Sequence, residues 1–263
     1  MIRISVLVFL CVMFSSCENS TDVSIDLPYQ EYTVIDAQLI AYQVFKGVTI
    51  THTLPVGKEF NIQDAEIKDA VVYMVENGVR IIPLHYTSDG IYKPVSDINI
   101  SAHSRYELYA NVGNKSIYSQ TIVPDIPQIV SATDIDNNYL FAEVRPKLDE
   151  AYGAAWIISE SGNSSAKADD FFSIETPDQY LANVTVRTQD IPPPYNNPSY
   201  NGNLYIQVYA FDKAYKDYFI TKTNSNPVNN TFTSGGGSVI WNVYGENTIG
   251  LFIGLCEGNI IQP

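Results

Sequence analysis

Two tandem antiparallel β-sandwiches, an all-β architecture, are the fold class this sequence predicts. Apolar and polar residues alternate with a period of two through many short runs, as strands with one buried face do. Gly, Asn and Asp cluster between those runs, where tight reversals need them. Hydrophobic residues make up 45% of the 263 residues, so the chain can build its core from apolar burial.

The N-terminus is of a different kind. A single positive charge at Arg3 precedes an apolar run from Ile4 to Phe14, followed by Ser15, Ser16 and Cys17. Spanning a bilayer takes about 20 apolar residues. This run is shorter, so residues 1–16 read as a cleaved signal peptide. Phe14, Ser15, Ser16 and Cys17 resemble the lipobox of bacterial lipoproteins, with Phe14 where leucine is usual. Cys17 is therefore expected to carry acyl chains, and several chains together hold a protein on a membrane where one does so only marginally. Residues 17–31 form the lipidated N-terminus and its tether, in which Pro28 discourages regular structure.

A first sandwich is expected over residues 32–126. In YTVIDAQLIAY, Ile35, Ala37, Leu39 and Ala41 share one face. DAVVYMV and VRIIPL flank Asn77-Gly78, a pair suited to the positive φ angles of a hairpin turn. Asp89-Gly90 marks a further turn, and RYELYANV and KSIYSQTIV form a second hairpin about Gly113 and Asn114. VPDIPQ, residues 123–128, interrupts the alternation with two prolines and an acid and serves as the domain boundary. A second sandwich is expected over 127–263, with strands at YLFAEV, AAWIIS, NVTVRT, LYIQVYAF, SVIWNVY and IGLFIGL. DKAYKDYFIT reads as a short helix, and the proline-rich QDIPPPYNNPSYNG as a loop.

The formal charge is −14, and loss of Arg3 with the signal makes the mature chain one unit more acidic. Such a surface repels nucleic acid and anionic headgroups, so neither is an expected partner. Cys11 leaves with the signal and Cys17 is lipidated. Cys256 is then left without an intramolecular partner and reads as a buried small hydrophobe.

No catalytic, metal or cofactor site is expected. His52, His85 and His103 lack metal-ligand spacing, and no G-x-S-x-G elbow occurs. Gly235-Gly236-Gly237-Ser238 lacks the lysine of a phosphate loop. Asp134, Asp136 and Asn138 have the spacing of a calcium loop, but Tyr139 stands where such a loop needs glycine. Asp169-Asp170 reads as a solvated acidic pair. The unusual feature is 19 tyrosines. Most alternate with apolar residues on strands, as Tyr205 and Tyr209 do, and cover sandwich faces. Tyr195 and Tyr200 sit instead among asparagines in the proline-rich loop, where a ring could dock on a partner, stack on a sugar, or equally pack the loop onto its own domain.

The lipobox, the IDLP segment, the DAVVYMVENG hairpin, the DGIY turn, the IVPDIP junction and the late GENTIGLFIG together resemble a family. It is the Bacteroidota outer-membrane lipoproteins grouped as a domain of unknown function, often encoded beside TonB-dependent receptors. The resemblance implies an immunoglobulin-like or fibronectin-III-like first domain, a second β-sandwich, and an outer-membrane location on the cell surface or the periplasmic face. It implies a non-enzymatic accessory subunit of a TonB-dependent receptor or another β-barrel complex, and supplies no catalytic residue. A surface glycan-binding or adhesion module is the alternative, distinguished by a contiguous row of exposed rings on one face. Replacing Cys17 by Ala is expected to move the protein from the sedimented membranes to the soluble fraction.

Overall fold

Strand β1 (Thr33–Ile40) forms as its alternation requires, with Ile35, Ala37 and Leu39 buried. The computed structural model describes residues 29–55, 57–135, 138–159, 165–177, 182–197, 202–224 and 239–263. After β1 come β2 (Val48–His52), the single turn α1 (Ile62–Ala65), β3 (Val71–Glu76), β4 (Arg80–Ser88) and β5 (Ile91–Lys93). The hairpin β6 (Arg105–Val112) and β7 (Lys115–Ile122) completes the first half. The second half holds β8 (Gln128–Ile135), β9 (Tyr139–Arg145), β10 (Glu150–Ser159), β11 (Ser165–Lys167) and β12 (Val184–Arg187). It ends with β13 (Asn203–Asp212), helix α2 (Ala214–Asn224), β14 (Val243–Tyr244) and β15 (Thr248–Ile261).

The turn chemistry acts as its residues dictate. Asn77 and Gly78 take φ of 54° and 70° between β3 and β4, and Asp89 and Gly90 take 53° and 73° between β4 and β5. Strand β4 changes partner along its length: Arg80–Leu84 pair with β3, and His85–Ser88 with β5. The sheet thereby folds over on itself and encloses a core of Ile35, Leu39, Ile50, Met74, Leu108 and their neighbours.

Twelve strands form one hydrogen-bonded order, β11-β10-β13-β15-β1-β2-β5-β4-β3-β6-β7-β14, and β12-β9-β8 form a second sheet. The protein is an all-β sandwich, and its large sheet is mixed: β1 runs parallel to β15. That pairing crosses the boundary expected at 126/127. Residues 248–255 of β15 pair with β1, and the rest of the strand pairs antiparallel with β13. Val243, Phe252 and Cys256 enter the first core, so residues 127–263 are not a separate sandwich, and Glu31–Pro263 form one compact unit. The reason is hydrogen bonding: β1 has a second edge to satisfy, and β2 covers only one.

In the second half, β10 is buried on both faces over most of its length, as a continuous apolar run allows. One face meets the small sheet across Leu140, Val144, Trp156, Val186 and Val208. The other is covered by α2 and the 168–175 segment, through Phe171, Phe211, Tyr215 and Phe219. Three lysines pin that cover: Lys213 to Asp149, Lys216 to Glu175 and Lys222 to Asp170.

Glycine spacing on β15 has a packing cause. Residues four apart on a strand share a face, and Gly254 and Gly258 are where the 122–127 crossing chain touches β15. A Cβ on Gly254 would lie 2.8 Å from the Ile122 carbonyl, and one on Gly258 2.8 Å from the Pro127 ring. A polar relay closes the same joint. The Gly254 N–H donates to Thr121 Oγ1 (2.7 Å), whose hydroxyl donates to Asp212 Oδ2 (3.0 Å). Asp212 also accepts from the N–H groups of Ile122 and Ala214, tying β7, β13, β15 and α2 together.

Two bulky residues with positive φ, Tyr42 (65°) and His103 (59°), hold the junction from the first half. The Tyr42 hydroxyl donates to Asp125 Oδ1 at 2.5 Å, and His103 Nε2 lies 3.0 Å from Oδ2. The bond from Tyr42 holds the Asp125 carboxyl below the usual carboxylate range and pushes the Tyr42 phenol up to about 12.

Gly250 has φ +140°, and a Cβ there would lie 1.9 Å from the Ile35 carbonyl oxygen. Gly250→Ala should therefore cost about 3 kcal/mol or more, a fall in Tm of about 6–12 °C on thermal unfolding. The Tyr42–Asp125 bond needs a carboxylate and a neutral phenol. Asp125 is depressed, so its share of stability is lost as pH falls through its lowered pKa. Tyr42 is raised, so its share is lost as pH climbs from about 10 toward 12. In Tyr42→Phe, the Asp125 carboxyl should titrate at higher pH than in the parent protein, as read by carboxyl-carbon NMR.

Candidate partner interface on the outer tyrosine face

Position on a strand decides what each tyrosine does. Tyr92, Tyr106 and Tyr152 lie at inward positions and are almost fully buried. Each uses its hydroxyl to pin a loop, accepting one backbone N–H and donating to one oxygen. Tyr92 joins Ala70 to Ile67, Tyr106 joins Ser101 to Glu76, and Tyr152 joins Lys147 to Glu150. Burial raises the phenol pKa of all three. A buried hydroxyl without such partners would be costly.

Outward tyrosines form something else. Strand register places Pro83 opposite Tyr73, Tyr73 opposite Tyr109, Tyr109 opposite Tyr118, and Tyr118 opposite Tyr244. One row thus crosses β4, β3, β6, β7 and β14. The Tyr73 and Tyr109 rings stack at 5.0 Å and 12°, and the Tyr109 and Tyr118 rings meet tilted at 5.2 Å and 55°. Such cross-strand pairs stabilise a sheet by about 0.2–1 kcal/mol each. They also fix how the rings are displayed: Tyr73, Tyr109 and Tyr118 are half-buried against their neighbours, the Tyr118 hydroxyl donates to Gln120 Oε1 at 3.0 Å, and Tyr244 at the end of the row is the exposed ring.

Around the row the surface is apolar. Val71 is 64% exposed, Ile81 66% and Tyr244 61%, and Ile122 is also exposed. Beside β4 lies a groove of about 220 Å³ whose lining includes Ile81, Pro83, His85, Val95 and Ile98, with Arg80 its one charged residue besides His85. Val95, at its rim, is 88% exposed. Among the outward positions of these five strands, His85 apart, only Arg105 and Glu107 are charged, and they lie 3.8 Å from each other. In a chain with 29 acidic and 15 basic residues, this face is charge-poor, tyrosine-rich and internally neutralised.

The residues singled out from sequence fall elsewhere. Tyr195 is half-buried; its ring lies 6.4 Å from Trp156 and packs on the second core. The loop folds back because the Ile191 N–H donates to the Asn138 carbonyl and Tyr195 closes a turn onto Pro192. Tyr195 therefore packs its own loop onto the second core, the alternative the sequence leaves open beside a docking or sugar contact. Cys17, Tyr200, Asp136 and the Gly235–Ser238 run lie outside the described residues. His103 meets Asp125, and among the described residues no three His, Cys, Asp or Glu side chains come together as a metal site would require. Asp170 pairs with Lys222. Cys256 is buried and free, its thiol pushed up to about 11 by burial first and Asp125 next.

Sequence reading placed Tyr73, Tyr109 and Tyr118 only as strand residues. The signal was available as alternation, since each sits between buried neighbours. Alignment of the four tyrosines into one row depends on strand register, which alternation within a strand does not carry. No protein-family model and no curated protein matches this chain.

Proposed function

We propose that this chain is a non-enzymatic outer-membrane lipoprotein, anchored through Cys17, that serves as the accessory subunit of an outer-membrane β-barrel complex such as a TonB-dependent receptor. The observation that carries the reading is the charge-poor face of Tyr73, Tyr109, Tyr118 and Tyr244 with Val71 and Ile81 beside it. Depletion of charge together with tyrosine enrichment is the composition of protein interface cores, and exposed apolar patches on soluble proteins mark partner sites. The Ile4–Phe14 run ending at Cys17 and the resemblance to receptor-associated lipoproteins support the membrane location.

A glycan platform is the second reading, and the contiguous row of rings favours it. Stacking on a sugar takes an open ring face, however, and the interplanar angle of 12° between Tyr73 and Tyr109 closes the faces at the row's centre. The exposed aliphatic side chains beside the row also suit a protein surface better than a sugar.

Ile81→Glu places a charge on the face at a solvent-exposed position, so folding should hold, with Tm within about 2 °C of the parent. The variant and the parent, purified from native membranes in mild detergent, should differ roughly tenfold in companion barrel protein. A companion retained in full by Ile81→Glu and by Tyr109→Ser would remove this face from the proposal. Binding of soluble glycans, lost in both variants, would put the second reading in its place.

A further inference from the structure

The charge-poor face has one border that carries a sign. Strand register sets His85 on β4 directly opposite Lys93 on β5, and both residues are exposed. Residues paired in this way hold their Cβ atoms about 4.5–5.5 Å apart on one side of the sheet. An imidazole N–H and an ammonium thus offer donors to the same point. The Lys93 stem packs against Gly47: that residue has φ +115°, and a Cβ on it would lie 2.9 Å from Lys93 Cγ. In a chain of 29 acidic and 15 basic residues, this border runs against the sign of the whole.

The groove along β4 begins at the same place. His85 lines it, and it continues past Pro83 and Ile81 to Arg80, whose guanidinium already pairs with Glu76 at 3.2 Å. Ile82 and Ile98, both buried, line it from within. Asp97, in the loop that supplies Val95, is not among the lining residues. A volume of about 220 Å³ lies below the ~300–1,000 Å³ of pockets that enclose whole small molecules. It suits a single large side chain.

We propose that this end of the interface binds an acidic segment of the partner protein: one large apolar side chain enters the groove, and a neighbouring Asp or Glu carboxylate accepts from Lys93 and His85. This contact presupposes the accessory-subunit reading and specifies the partner's chemistry. Two observations commit the occupant to a protein segment with an acid. The groove is continuous with the tyrosine face, since Pro83 lines it and lies opposite Tyr73 in the row. Complementary charge sets the rest, because opposed potentials across an interface fix register and partner choice.

Carbodiimide coupling tests the contact on the lipoprotein purified with its companions from native membranes. The reagent joins a lysine amine to a carboxylate beside it as an amide and takes up the water released. Peptide mass spectrometry of the parent complex should show Lys93 joined to an Asp or Glu of the companion. Lys93→Arg keeps the charge and cannot be coupled, so it should retain the companion and lose the cross-link. Lys93→Glu, at an exposed position, should leave Tm within about 2 °C of the parent and lower companion recovery roughly tenfold. A companion kept in full by Lys93→Glu, with no cross-link from Lys93 in the parent, overturns the inference and leaves the accessory reading standing. A Lys93 cross-link to a second copy of this chain, or a fatty acid carried by the parent and lost in Lys93→Glu, overturns the partner segment as the occupant. A lipoprotein that purifies alone overturns both readings.

Discussion

Strand β15 takes backbone hydrogen bonds from β1 along its first part and from β13 along its second, and the rest of the molecule depends on that sharing. A strand's N–H and C=O groups must be satisfied wherever water is excluded. With Phe252, Ile253, Leu255 and Cys256 all buried, separating the halves would strand those groups and open two cores together. The crossing chain at 122–127 lies against Gly254 and Gly258 too closely for any side chain there, and the Thr121–Asp212 relay satisfies the polar groups of the joint. A proline-bearing segment that reads as a domain boundary is thus held from three directions: by β15 beneath it, by Tyr42 and His103 from the first half, and by Asp212 from the second.

Rigidity of that kind matters for a binding surface. The tyrosine row spans five strands, and its shape depends on their register staying fixed. Long hydrogen-bonded runs on both sides of β6 provide this, through β3 and β7. Buried tyrosines contribute from below, because Tyr106 joins the end of β3, through Glu76, to the loop before β6. The same residue type therefore serves as pin inside and as display outside. The hydroxyl makes both roles possible: it finds a partner when buried and stays hydrated when exposed. A proposed interface built from such rings loses little side-chain freedom on binding, since stacked rings are already ordered.

Charge distribution on the molecule is equally selective. A formal −14 spread evenly would leave acids on every face, yet at the outward positions of β3, β4, β6, β7 and β14, His85 apart, the Arg105–Glu107 pair is the only charge. Three lysines of the second half, Lys213, Lys216 and Lys222, are committed to fixing α2 and the segment it packs with over β10 and β13. A formal −14 opposes close approach of like-charged copies at long range, and the charge-poor face adds little to that repulsion.

Alternation, turn residues and composition by themselves determined the all-β class, the hairpins about Asn77-Gly78 and Gly113-Asn114, the helix after Asp212 and the inward set Ile35, Ala37, Leu39. All of these are local, set by side-chain periodicity and by backbone angles that few residues tolerate. The apolar run from Ile4 to Phe14 before Cys17, from which a signal is proposed, is likewise a local pattern. Only the tertiary structure decided that β15 would reach back across the boundary to pair with β1, that Tyr195 would turn inward onto Trp156, and that four tyrosines from four strands would fall into one row. Those outcomes rest on register and on contacts between segments far apart in the chain. A one-residue slip in register reverses every side chain of a strand, and a sequence read strand by strand carries no term that sets it.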